Sequence, residues 1–168
     1  MKTTIQKRTK IILLVLACSS LFFNACKQKE TPPKPDDVTL TKEITESEEK
    51  LFSLLKEGKI DDAFAMHVNT ASYKNIADGN CRNHTEMDAT LKDRTSKGIK
   101  AYDYTVAKRD FLIIDATNVL ETIEGSRKII TVKDSITEDK NITLSILWTK
   151  DSSNWKVAYL NGSYKVGM

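Results

Sequence analysis

Few side chains in this sequence have the chemistry to act as an acid, base, nucleophile or metal ligand near neutral pH. Its 168 residues contain two histidines, His67 and His84, and three cysteines, Cys18, Cys26 and Cys81. His67 lies among Phe64, Met66 and Val68 at the end of a predicted helix. Burial there can poise an imidazole as a general base, or hold it as a hydrogen-bonded structural group. His84 falls in a predicted first helical turn, where the helix dipole disfavours an imidazolium. Cys81 and His84 form a C-x-x-H spacing, but a structural zinc site takes four protein ligands and only His67 remains as another imidazole, so no metal is expected. Asp103 stands between Tyr102 and Tyr104 in a predicted strand. Facing inward it would be a carboxylate of raised pKa able to act as acid or base; facing outward it would be solvated, and alternation permits both. Asp115 and Asn118 pose the same question. Tyr159 and Asn161 share one strand face with Trp155 and Val157; both can hydrogen-bond a ligand, but neither titrates near neutrality. No G-x-G-x-x-G, G-K-[ST] phosphate loop, H-E-x-x-H or G-x-S-x-G is present, and no cofactor is expected.

The remaining residue with chemistry is Cys26. Lys2, Lys7, Arg8 and Lys10 precede an uncharged, mostly apolar run from Ile11 to Ala25, and a polar stretch follows. That run is shorter than the roughly 20 residues a spanning helix needs. Ala25-Cys26 at its end resembles a bacterial lipoprotein processing site, although Phe23 and Asn24 stand where the pattern has Leu and a small residue. Cys18, after Leu16-Ala17, is the competing acceptor; its use would leave Leu21-Phe22-Phe23 in the mature chain. Acylation of Cys26 would tether the protein to a lipid bilayer at the bacterial cell envelope, since each buried CH₂ contributes about 0.8 kcal/mol. Cys81 would then be the one free thiol, and stability would rest on the core without a disulfide. The formal charge of +3 misleads: without residues 1–25 there are 22 basic against 23 acidic side chains, a net −1. Such a chain lacks the basic footprint of a nucleic-acid binder.

Three segments follow from this reading: a signal peptide over 1–25, a Pro/Lys-rich tether over 26–40, and one domain over 41–168. Ile44, Leu51, Leu54 and Leu55 predict a helix over 42–57 that ends at Gly58. Asp61 can cap a second helix running to about Val68. A turn is predicted at 77–80, and Asn83 to Glu86 has capping-box spacing for a third helix that ends before Gly98. From there the period becomes two. Strands are predicted over 99–108, 111–122, 127–137 and 141–149, with Arg109-Asp110 as a break, then a turn over 151–154 and a last strand over 155–161.

Helices followed by a meandering sheet spell α+β. The helical pair around Gly58-Lys-Ile-Asp61, the mid-chain Asp78-Gly79 and the hairpin from Leu147 through Trp155 to Tyr159 resemble the NTF2-like superfamily, in particular its SnoaL-like and DUF4440-like branch. The resemblance implies a cystatin-like cone, with N-terminal helices packed on a curved antiparallel sheet around a cavity. It implies that Trp155, Tyr159 and Asn161 line that cavity, and that Trp155 lies deeper than Trp148. Tyr159 and Asn161 occupy positions where relatives often carry histidines, which weakens a general-base role. Asp134-Ser135-Ile136 resembles the short O-glycosylation sequon of Bacteroidetes-like bacteria.

Three functions remain open on this reading. The first is a tethered module binding a small apolar or amphipathic ligand without catalysis. The second is an isomerase or hydrolyase with His67 or Asp103 as base and Tyr159 as donor. The third is an envelope protein-interaction module, with a second copy of the chain as one partner to expect.

Overall fold

A computed structural model describes residues 37–165. The expected acyl acceptor Cys26 and its competitor Cys18 lie outside the described residues. Helix α1 spans Asp37–Lys56 and places Leu40, Ile44, Glu48 and Leu51 in one buried row at helical spacing. Asp37 in its first turn and Lys56 in its last both complement the helix dipole. The chain leaves α1 through Gly58 at φ 76°, where an added Cβ would stand 2.8 Å from the Lys100 carbonyl oxygen. Glycine answers both demands.

Helix α2, Ile60–Phe64, is shorter than its sequence pattern suggests, and Asp61 lies inside its first turn rather than at its cap. The next residues are claimed by the sheet. Val157 donates to the Met66 carbonyl at 2.9 Å and accepts from the Val68 N–H at 3.0 Å, forming a bridge at His67. Two short strands follow, β1 Lys74–Ala77 and β2 Asn80–Arg82, joined by the predicted turn with Asp78 at φ 48°. Helix α3, His84–Ser96, opens with the expected capping box: Asn83 Oδ1 accepts from the Glu86 N–H at 3.0 Å, and Glu86 returns a carboxylate to the Asn83 N–H at 2.9 Å.

The four long strands are β3 Ile99–Asp115, β4 Asn118–Thr131, β5 Ile136–Asp151 and β6 Asn154–Lys165. Arg109-Asp110 does not break β3. The true turn is Ala116-Thr117, where Asp115 Oδ1 takes the Thr117 N–H at 2.7 Å and the Thr117 hydroxyl at 2.8 Å. A polar pair inside a strand resembled a turn because the ion partner that holds Arg109 lies far away in sequence, on α1.

Sheet order is β2-β1-β6-β5-β4-β3. Two features correct the expected antiparallel cone. β1 runs parallel to β6, making the sheet mixed. The sheet is also neither curled nor closed: its edge strands, β2 and β3, do not pair with each other. At three and four residues, β2 and β1 are too short to carry a ladder around to the 17-residue β3. The core forms where α1 meets the inner face of the long strands, with Ile44, Val119, Ile146 and Val157 fully enclosed. Each such aliphatic side chain contributes roughly 1.5–3 kcal/mol by leaving water.

Candidate ligand cavity

A cavity of about 130 Å³ lies between α1, α2, α3 and the inner face of the sheet. Its apolar wall includes Leu51 and Phe52 from α1, Phe64 from α2, Met87 and Leu91 from α3, and Leu144 from β5. Against these the strands bring a polar set together. Register places Tyr104 opposite Arg127 across β3 and β4, and Arg127 opposite Asp139 across β4 and β5. Cross-strand neighbours on one face lie close enough to interact directly, so three distant positions form one row. Arg127 Nε donates to Asp139 Oδ2 at 3.0 Å, and Nη2 donates to the same oxygen. Both residues are buried. The guanidinium carbon sits 3.8 Å from the centroid of the Tyr164 ring, a cation–π contact, and Tyr104 stacks on Phe52 at 4.5 Å. Burial pushes the Tyr104 and Tyr164 hydroxyls above the ordinary phenol range, keeping both protonated. The Tyr102 hydroxyl, on a residue only 4% exposed, has no hydrogen-bond partner among the described residues.

A bulge decides which last-strand residues reach this cavity. Leu147 faces Tyr159 while Trp148 faces Val157, so one extra β6 residue is inserted and side-chain parity switches. Beyond it Leu160 and Tyr164 line the cavity, while Tyr159 and Asn161 stand on the other face and are not part of the wall. Gly162 belongs to the arrangement, since a Cβ there would stand 2.6 Å from the Tyr164 hydroxyl oxygen. Trp155, expected in the cavity, is not part of the wall. Its indole N–H donates to Glu43 Oε2 at 2.8 Å, and that oxygen also accepts from Lys150. Trp148 is the deeper ring, with no exposure against 6% for Trp155, because the β5 alternation carries it into the core.

His67 does line the cavity. Part of the residue meets solvent, yet its ring is enclosed by Phe64 at 5.2 Å and Tyr73 at 5.6 Å. Loss of hydration pushes its pKa down to about 4. Nδ1 lies 3.2 Å from the Phe64 carbonyl oxygen and is the donor of a neutral ring, leaving Nε2 as the acceptor. His84 packs its ring on Phe64 at 4.4 Å. Asp103 is not in the wall: its carboxylate lies 3.1 Å from Lys56 Nζ, over the end of α1. Cys81 is exposed on β2, and no cluster of three metal-ligating residues occurs among the described residues. Asp115 and Asn118 belong to the β3–β4 turn, where Asn118 Nδ2 donates to Asp115 at 3.0 Å.

Sequence reasoning missed Arg127, Asp139, Tyr104 and Tyr164. The strand pattern around Arg127 was readable, but its register against two neighbours was not. A second buried cluster was missed as well. Glu48 and Glu121 have no exposed surface. Arg109 donates to Glu48 at 2.8 Å, Trp148 Nε1 donates to Glu121 Oε2 at 2.7 Å, and Arg109 lies 4.0 Å from Glu121 Oε1. The available sign was Glu48, four residues after Ile44 and three before Leu51 on the buried stripe.

No family model matches the chain, and no curated protein sequence matches it. Solved structures do. An NTF2-like superfamily protein from Salmonella enterica aligns with TM-score 0.64 at 13% identity, covering 79% of this chain and 97% of its own. A protein from Novosphingobium aromaticivorans, provisionally assigned as a scytalone dehydratase, gives 0.66 at 9% identity, with 77% and 86% covered. The association domain of CaMKII from C. elegans gives 0.58 at 14% identity, with 74% and 95% covered. At such identities the likeness carries the architecture and nothing finer. The chain has the NTF2-like α+β fold, built here on an open, mixed sheet.

Proposed function

We propose that this domain is a non-catalytic binding module for a small amphipathic ligand. The observation that carries the reading is the cavity itself: an apolar wall into which Arg127 and three tyrosines converge. Pockets of this kind, mostly apolar with a few placed polar groups, are where small molecules bind. Catalysis is disfavoured by the same geometry. A base must hold its proton well enough to take it from a substrate, and a histidine with a pKa of about 4 is a weak acceptor. Arg127 is already engaged by Asp139. The fold does not choose, since it carries both a provisional dehydratase and an association domain among its neighbours.

Native mass spectrometry of the purified full-length chain tests the reading. A retained small molecule, or uptake of an apolar probe such as benzyl alcohol, is the expected result. A chain that is always empty and takes up no probe overturns it.

The same proposal places the domain at a bacterial envelope membrane through acylated Cys26, drawing on Ala25-Cys26 at the end of the apolar run. Among the described residues no helix is long and apolar enough to cross a membrane. Cys26→Ala is expected to abolish acyl-label incorporation. Labelling that persists, or that depends on Cys18 instead, sinks the tether.

A further inference from the structure

We infer that the ligand is a small monocarboxylate, its apolar body inside the cavity and its carboxylate held by Arg82 and Arg94. The inference rests on the ligand-binding reading above and adds the ligand's charge, size and orientation.

Charge comes first. Three arginines line the cavity, and they differ in what they already hold. Arg127 is neutralised by Asp139 and covered by the Tyr164 ring. Arg82, on the short strand β2, and Arg94, in the last turn of α3, are half-buried. Neither has a carboxylate within ion-pair distance among the described residues. Asp78 also lines the cavity; its Oδ1 accepts the Tyr164 N–H at 3.1 Å, a neutral donor that leaves its negative charge in place, although no ion pair joins it to either arginine. Two guanidinium groups against the one carboxylate of Asp78 leave the wall with one positive charge in excess, which a monoanion would balance. Guanidinium donors match a carboxylate in geometry and form hydrogen bonds stronger than neutral ones.

Size and orientation follow from the same wall. A cavity near 150 Å³ lined by aliphatic and aromatic groups accepts a benzene ring, and this one is about 130 Å³. One six-membered ring or a chain of comparable bulk fits, whereas a long acyl chain does not. Leu51, Phe64, Met87 and Leu144 offer that body an apolar surface. Arg82 and Arg94 are more open to solvent than Tyr102, so the charged group lies toward water and the body toward the sheet. The unpartnered Tyr102 hydroxyl is then a donor for a polar substituent on the body.

Benzoate and benzyl alcohol, similar in size and differing in charge, separate the possibilities when titrated against the full-length chain by calorimetry or by NMR shifts of cavity side chains. Benzoate is expected to bind at least about tenfold more tightly. Arg82→Gln or Arg94→Gln should remove most of that preference, lowering benzoate affinity far more than that of benzyl alcohol. Arg94→Lys, which keeps the charge, should retain part of it. If the two probes bind equally, or if benzoate is indifferent to both glutamine variants, the carboxylate inference falls while the cavity remains a binding site. If neither probe binds, both readings fall. The wild-type comparison decides even where a variant does not fold.

Discussion

Two buried ionic clusters occupy this domain, and they differ in charge balance and in what surrounds them. Arg127 and Asp139 form a one-to-one pair on neighbouring strands, beside a cavity. Glu48 and Glu121 share the single guanidinium of Arg109 beneath α1, against the Trp148 ring. In the first cluster each charge has its counter-charge, so the pair can stay ionised beside its tyrosine neighbours. In the second, Oε1 of both glutamates has no hydrogen-bond partner among the described residues. Burial first, and then the neighbouring Glu48 charge, push the Glu121 carboxyl up to about 7, against the pull of Trp148 and Arg109. Burial likewise raises Glu48. One cluster borders the cavity in which we propose that a ligand binds; the other is a packed site whose stability depends on a proton.

The largest effect expected from breaking this comparison is at Trp148. Trp148→Ala removes a fully buried ring, at about 3–5 kcal/mol, and strips Glu121 of its indole donor, at about 1–3 kcal/mol more. Trp155→Ala should cost less, about 3 kcal/mol, because Glu43 keeps its bond to Lys150. Urea unfolding of both variants ranks them, and the reverse order would contradict the packing described.

Next in size is Arg127→Met, which leaves Asp139 buried without its counter-charge and should destabilise by about 3–5 kcal/mol. Adding Asp139→Asn should recover a large part of that loss. No recovery in the double variant would mean that Arg127 acts through its ring contacts with Tyr164 instead.

The smallest effect is the pH slope of the second cluster. Glu121 has a native pKa of about 7 against an ordinary 4.5. A raised carboxyl favours folding fully at low pH, and that contribution fades as pH rises from about 4.5 through about 7. Between pH 5 and pH 8 the wild type should lose about 2–3 kcal/mol of unfolding free energy. Glu121→Gln should flatten most of that slope, with Glu48 accounting for the remainder. An identical slope in the variant would remove Glu121 from the account.

Much of the local structure was legible because its causes are local. Gly58 marks a helix end through its own φ, the Asn83–Glu86 pair caps α3 within four residues, and the Asp151–Asn154 hairpin follows from its turn residues. The existence of the long strands was readable from period and β-branching; their limits were not, and β1 and β2 were too short to show a period around the turn at 77–80. Arg109-Asp110 reads as a turn only until Glu48, 61 residues away, is seen to hold Arg109.

The amino-acid sequence alone determined the α+β class, the order of helices before long strands and the net charge, because propensity, patterning and capping act over a few residues. Tertiary structure decided the site. The inserted residue between Val157 and Tyr159 reverses which β6 side chains face inward, replacing Tyr159 and Asn161 with Leu160 and Tyr164 at the cavity. Cross-strand register joins Tyr104, Arg127 and Asp139 into one row, and the parallel pairing of β1 with β6 sets the sheet's mixed, open form. A one-residue shift costs little in any local preference yet moves every later side chain to the opposite face. That is why a period of two reveals that a strand exists but not what it faces.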